Sequence, residues 1–259
     1  MKITRKIFQA VFLLMVLYLA FGYGQRNFEN FCPFGGLEGL YSLVRFKATT
    51  CALSPWNFGV FAAVLGLTLV SKKSFCGWVC PIGFIYELLG KIQNKLFKGK
   101  ELLPAKLDSI LRALRWAVMG VVLYFTVETG ELIFRGYDPY YLLFSGFGDY
   151  SIAGISIPLI VLLLGAGIFI KMAWCRYLCP MSAAMDAFSL PSVVGIRRDD
   201  DKCTSCGKCD RACDLALKPS KRDFVTHVDC TNCLECVNVC PEKECMNLAL
   251  RFGAKRSQQ

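Results

Sequence analysis

The chain has 259 residues, 54% of them hydrophobic and 19% charged, with a formal net charge of +10. So apolar a composition excludes an ordinary soluble domain and points to a membrane protein. Fifteen cysteines in a chain of this length, most of them in metal-ligand spacings, exclude a small secreted disulfide scaffold and call for a reducing compartment.

Four stretches are apolar enough to cross a bilayer core, which takes about 20 residues. They are roughly residues 7–24, 54–71, 109–129 and 152–170. Lys2, Arg5 and Lys6 precede the first, whose apolar run exceeds that of a usual signal peptide, so a retained anchor is favoured over a cleaved leader. The loop after it holds Cys51 and Cys32, the latter in Cys32-Pro33-Phe34-Gly35-Gly36-Leu37-Glu38. A disulfide and a ligand or redox role are both open for this pair.

The connection between the second and third spans carries Lys72, Lys73, Lys91, Lys95, Lys98, Lys100, Lys106, Arg112 and Arg115. That bias predicts a cytoplasmic loop, with the flanking loops outward and both termini inside. The basic excess therefore reads as topogenic rather than as a nucleic-acid footprint. Arg112 and Arg115, at the start of the third span, are expected to reach lipid headgroups.

A repeat runs through this half. Phe75-Cys76-Gly77-Trp78-Val79-Cys80-Pro81 and Trp174-Cys175-Arg176-Tyr177-Leu178-Cys179-Pro180 match in order, and Glu87 and Asp186 follow at equivalent positions. Each copy comes after an outward loop and a spanning helix, as in a tandem repeat about an axis along the membrane normal. Cysteines four apart share one helix face, so each C-x3-C-P motif offers two thiolates. Pro81 and Pro180 suit the first turn of helices running to about Lys98 and Phe188. Brought together, Cys76, Cys80, Cys175 and Cys179 could hold a [4Fe–4S] cluster, a structural zinc, or nothing. Glu87 and Asp186, with Trp78, Tyr86 and Tyr177 nearby in sequence, are candidates for a quinone site; the bland reading is that both are solvated or ion-paired.

The last sixty residues carry the most specific signal. Cys203, Cys206, Cys209 and Cys213, then Cys230, Cys233, Cys236 and Cys240, twice spell C-x2-C-x2-C-x3-C. This is the bacterial ferredoxin spacing, in which the fourth cysteine serves the other cluster. The expected sets are Cys203, Cys206, Cys209 and Cys240 on one cluster, and Cys230, Cys233, Cys236 and Cys213 on the second. Pro241 follows Cys240 as the pattern asks, but Asp214 follows Cys213, which weakens the local turn argument there. Cys245 falls outside both quartets and reads as a free thiol. The one histidine, His227, lies between the quartets and outside every span. This removes a bis-histidine haem, and no haem-attachment, Walker or dinucleotide motif is present.

The expected fold is thus an α-helical membrane protein, with four transmembrane helices as a tandem two-helix repeat over residues 1–196. A cytoplasmic α+β domain of the bacterial 2[4Fe–4S] ferredoxin type follows over residues 197–259. With the two C-x3-C-P motifs and two cubane runs just quoted, the chain resembles the membrane-bound polyferredoxins typified by the H subunit of periplasmic nitrate reductase systems (NapH-type). Relatives of that family include the membrane ferredoxin parts of nitrous oxide reductase maturation and oxidase copper-assembly proteins. The resemblance implies a multi-pass protein of a bacterial inner membrane and electron transfer between quinol and a redox partner protein, and it carries over onto the twelve cysteines named. Segments that serve flavin or copper in those relatives have no counterpart in these residues, so neither is expected. A different class stays open: a maturation factor that reduces a metal or thiol in a partner enzyme, with Cys32 and Cys51 facing it.

Overall fold

A computed structural model describes residues 2–22, 33–37, 55–97, 103–129, 137–144, 153–242 and 244–251. Cys32 and Cys51 lie outside the described residues. The helices are α1 (Lys2–Phe21), α2 (33–37), α3 (Pro55–Ser71), α4 (Ser74–Trp78), α5 (Pro81–Phe97), α6 (Ala105–Thr129), α7 (Pro139–Phe144) and α8 (Ala153–Phe169). A π turn (Trp174–Leu178) and α9 (Pro180–Ser189) complete the helical half. The C-terminal module has β1 (Val194–Arg198), α10 (Lys208–Ala212), a 3-10 turn (Pro219–Lys221), α11 (Glu235–Val239) and β2 (Met246–Leu250). β1 and β2 form an antiparallel pair running from Val194 opposite Leu250 to Arg198 opposite Met246.

Each expected span falls on a helix, though α1 and α6 start several residues early, because Arg5, Lys6, Asp108 and Arg112 all take helical positions. Among the described residues two helical stretches, Ile3–Phe21 and Lys106–Thr126, are long and apolar enough to cross a membrane. The apolar α3 and α8 have 17 residues each, about 25 Å at 1.5 Å per residue.

The repeat governs packing. α5 of the first copy lies against α8 of the second, and α9 of the second lies against α3 of the first. Within each copy the first helix packs on the last, α1 on α5 and α6 on α9. Gly167 allows the close approach of α8 to α5, since a Cβ there would stand 2.7 Å from the Tyr86 ring. Tyr86, fully buried, donates to the Leu163 carbonyl at 2.9 Å, and Gln93 donates to that of Phe169 at 2.6 Å. Each bond satisfies a polar group that would otherwise be orphaned between apolar helices.

The C-terminal module contains a repeat of its own, offset by 27 positions: Cys203 to Cys230, α10 to α11. Ser205 and Gly207 in the first loop and Asn232 and Leu234 in the second all have positive φ. This left-handed backbone turns N–H groups inward, so that Ser205 donates to Cys203 and Lys208 to Cys206. In the same way Asn232 donates to Cys230 and Glu235 to Cys233.

A four-thiol chamber beside a ferredoxin module

The C-x3-C-P pairs do not sit on a continuous helix face, as the spacing suggests they would. Cys76 lies in α4, but Cys80 stands between α4 and α5; Cys175 lies in the π turn, and Cys179 is extended (φ −71°, ψ 113°). Proline is the cause, because it disfavours the helical conformation in the residue before it. Both copies close the break alike: Cys80 N–H reaches the Phe75 carbonyl at 3.0 Å, and Cys179 N–H reaches that of Trp174 at 2.9 Å. Pro81 and Pro180 then open α5 and α9. Burial pushes the Cys179 thiol up to about 12, opposed by the N–H groups of Ser182 and Met181. Burial likewise raises Cys80, opposed by Gly83 and Ile82. Each second cysteine is thus aimed along a helix N-terminus, which favours a thiolate.

All four of these cysteines wall one cavity of about 320 Å³. Its other walls are apolar stripes of two helices, Phe12, Met15 and Val16 on α1 and Val60, Ala63, Val64 and Leu67 on α3. Phe34 of α2 and Asp138 and Tyr140 at the start of α7 close it. Asp138 is 5% exposed and accepts the Tyr140 N–H at 3.1 Å as the N-cap of α7. Burial raises its carboxyl to about 7 despite the N–H groups of Tyr140 and Tyr141.

Two smaller voids border the C-terminal module, the larger of them also lined by Arg5, Gly77, Gly83 and Glu87 of the helical half. One, of about 40 Å³, is walled by Cys213, Cys230, Cys233 and Cys236; the other, of about 20 Å³, by Cys203, Cys206, Cys209 and Cys240. The geometry therefore groups the thiols in the crossed sets that the spacing suggests. Cys213, followed by Asp214, adopts the same extended backbone as Cys240 before its proline: φ −78°, ψ 111° against φ −68°, ψ 125°. Asp214 instead faces α5, where Gly90 leaves it room. Cys245 is buried against Cys203 and Cys240 and lines the 20 Å³ void.

Among the described residues no three His, Cys, Asp or Glu side chains converge tightly enough for a single metal ion. Four thiolates on one zinc would stand about 3.8 Å apart. Thiols held back around a void fit a multi-iron cluster instead, whose corners each take one sulfur.

The chamber and the 40 Å³ void meet at Cys76 and Gly77, since Cys76 lines both and Gly77 the smaller. A Cβ on Gly77 would stand 2.9 Å from the Thr231 carbonyl oxygen, so only glycine permits this approach. Lys73 N–H donates to the Cys230 carbonyl at 3.2 Å and the Trp78 indole to that of Asn232 at 3.1 Å.

A buried seam of charge fastens the two halves. Asp229, 3% exposed, meets Lys73 at 2.9 Å, Arg115 at 2.5 Å and Arg112. Burial would raise its carboxyl, but the three cations hold it far below the usual range. Lys73 and Arg115 also reach Asp186, at 2.6 and 2.9 Å; there burial outweighs them and the carboxyl is raised. On the other side Arg5 bridges Glu87 at 2.9 Å and Glu235 at 2.5 Å, with Lys6 also on Glu87. Lys72 and Lys171, equivalent in the repeat, donate to the carbonyls of His227 and Arg211. Arg112 and Arg115 are therefore seam residues, not the headgroup contacts that their position suggests: in a folded chain a buried carboxylate outcompetes the interface for them. Glu87 and Asp186 are both ion-paired, and neither is among the residues lining the 320 Å³ cavity. Sequence reasoning passed over Asp138, although Asp-Pro ahead of an apolar run is a helix-start signal.

A family model described as a 4Fe–4S binding domain matches residues 53–103 and again 152–197. The two matches start 99 positions apart, the offset of the C-x3-C-P repeat. A 4Fe–4S dicluster domain model matches residues 195–241. The chain is 31% identical over 278 positions to YccM of Escherichia coli, named for a proposed role in electron transport, covering 96% of this chain and 76% of that one. An uncharacterized protein of Methanocaldococcus jannaschii is 28% identical over 260 positions, 99% and 98% of the two chains. The ferredoxin-type protein NapH of Haemophilus influenzae is 27% identical over 194 positions, 71% and 65% of the two. No solved structure matches the chain. Two cluster-binding models in tandem and these relatives place the chain in the NapH-type polyferredoxins, a family of iron–sulfur electron-transport proteins.

Proposed function

We propose that this chain is a four-span electron carrier of a bacterial inner membrane, with its ferredoxin module in the cytoplasm, linking quinol to a redox partner protein. Cys203, Cys206, Cys209 and Cys240 hold one [4Fe–4S] cluster, Cys213, Cys230, Cys233 and Cys236 a second, and Cys76, Cys80, Cys175 and Cys179 a third. Such clusters, when bound, accept and release single electrons. The observation that carries the reading is the row of three four-thiol voids, with Cys76 shared between the walls of the chamber and its neighbour.

The chain's own groups give each end of the row a distinct task. Apolar side chains of α1 and α3 keep water from the chamber, and the N-termini of α5 and α9 steady Cys80 and Cys179. At the far end Cys206 is exposed and offers a partner its way in. The basic loop between α3 and α6, counted on the cytoplasmic side, supports the orientation.

Purified protein should contain about twelve irons and twelve sulfides per chain, three cubanes' worth. Added quinol should bleach the visible absorbance of its clusters. A protein with its full iron content that takes no electrons from any quinol would end the quinone part of the proposal.

A further inference from the structure

Three voids walled by the same four-thiol chemistry should be about the same size if each held only a cluster. The two in the ferredoxin module enclose about 40 and 20 Å³, and the chamber encloses about 320 Å³. The surplus is an order of magnitude, and it brings the chamber into the range of small-molecule sites, about 300–1,000 Å³. It is bounded by the apolar stripes of α1 and α3 and reaches the surface where Ala63 and Leu67, one turn apart on α3, are exposed. Asp138 supplies one buried carboxylate in that wall.

We infer that the chamber is a quinol-binding site, entered between α1 and α3 at Ala63 and Leu67, in which Asp138 accepts a hydrogen bond from a quinol hydroxyl. The inference rests on the quinol-linked reading above and adds its location. An apolar slot suits the ring and the first part of a chain, and the four thiols in the same wall set the ring beside the redox centre. Capping α7 leaves Asp138 lone pairs free, because an ionised carboxylate accepts about four hydrogen bonds. In its ionised form it only accepts, and so favours the quinol, which donates, over the quinone, which cannot. Asp138 is here a positioning residue for the headgroup.

The test uses the full-length protein with its clusters, a photoreactive azido-benzoquinone, and binding titrations with a short-chain benzoquinol and its benzoquinone. Label should fall on peptides of α1 and α3. Ala63→Trp, made at an exposed position, should weaken binding of both forms at least tenfold with the iron content unchanged. Asp138→Asn keeps the cap, since asparagine caps as well as aspartate. It should weaken quinol binding about tenfold, the worth of one hydrogen bond to a charged group, and reverse the preference toward benzoquinone. Unchanged affinities in both variants, or label confined to other helices, would overturn the site while leaving the quinol reading intact. A wild-type protein that neither binds benzoquinone nor is reduced by benzoquinol would bring down both.

Discussion

The four cysteines between the repeats and the eight in the ferredoxin module wall four-thiol voids in opposite surroundings. In the module, short left-handed loops wrap N–H groups around each thiol and leave about 20 to 40 Å³. Between the repeats, two helix breaks present thiols to a chamber of about 320 Å³ with apolar walls. Hydrogen bonds to sulfur and exposure to solvent tune cluster potentials, so clusters held in the two regions would differ in potential. The lesson is that a ligand set does not define a site; what surrounds it does.

The largest effects should come from removing one cysteine from each region. Cys236→Ser should cost about four irons and loosen the module, because Cys236 is buried in the wall of the void that its loops surround. Cys175→Ser should cost the same iron yet leave the helices and the ferredoxin signals intact. Iron analysis with limited proteolysis separates the two, and equal proteolytic damage would mean that both sites are structural in the same way.

Next in size is the seam. Asp229→Ala would leave Lys73, Arg112 and Arg115 facing one another without their shared carboxylate. Breaking a buried pair in this way costs about 3–5 kcal/mol. Thermal unfolding should show it as a large drop in midpoint, with the ferredoxin module released to protease before the helices melt. A single unchanged transition would mean that the halves are held by apolar packing instead.

A smaller effect should appear with pH. His227 Nδ1 accepts the Asp229 N–H at 3.2 Å, and burial lowers the imidazole to about 4 in the face of the attraction of Asp229. Its ordinary value is about 6.5, so the folded chain binds fewer protons than the unfolded one between these limits. Stability from this group is complete above about pH 6.5 and lost as pH falls toward about 4, by up to about 3 kcal/mol. His227→Gln should flatten that part of the stability–pH curve; an unaltered slope would assign it to other groups.

The smallest expected change is Gly77→Ala. The added methyl meets the Thr231 carbonyl and must push the chamber away from the neighbouring void, at about 1–3 kcal/mol. Cluster signals in the module should shift slightly, with total iron unchanged.

How much of this was legible in the residue order depends on the range of the contact. The eight-cysteine run, the C-x3-C-P repeat and the helices opened by Pro81 and Pro180 are local patterns, and they could be read directly. The grouping of the eight thiols around two voids also follows their spacing. Arg112 and Arg115 were not legible, since Asp229 lies more than a hundred positions away and nothing near the arginines announces it. The helix break inside each C-x3-C-P motif runs against the shared helix face that the cysteine spacing suggests, because the proline disfavours the helical conformation in the cysteine before it. Asp138 escaped because a six-residue helix inside a connection leaves almost no periodic signal.

The exchange of partners between the repeats, α5 on α8 and α9 on α3, has a consequence for how the chain comes into being. In interface terms it is an isologous dimer whose two subunits have been spliced end to end. A gene for the first copy alone would encode a protein able to bury the α8-facing side of α5 only by pairing with a second molecule. During synthesis the same debt is carried by the nascent chain: α5 leaves the ribosome well before α8 exists to receive it. For that interval Leu88, Ile92 and Leu96, exposed even in the finished molecule, are joined by the apolar face that α8 will later cover. Insertion factors would meet the chain at that stage.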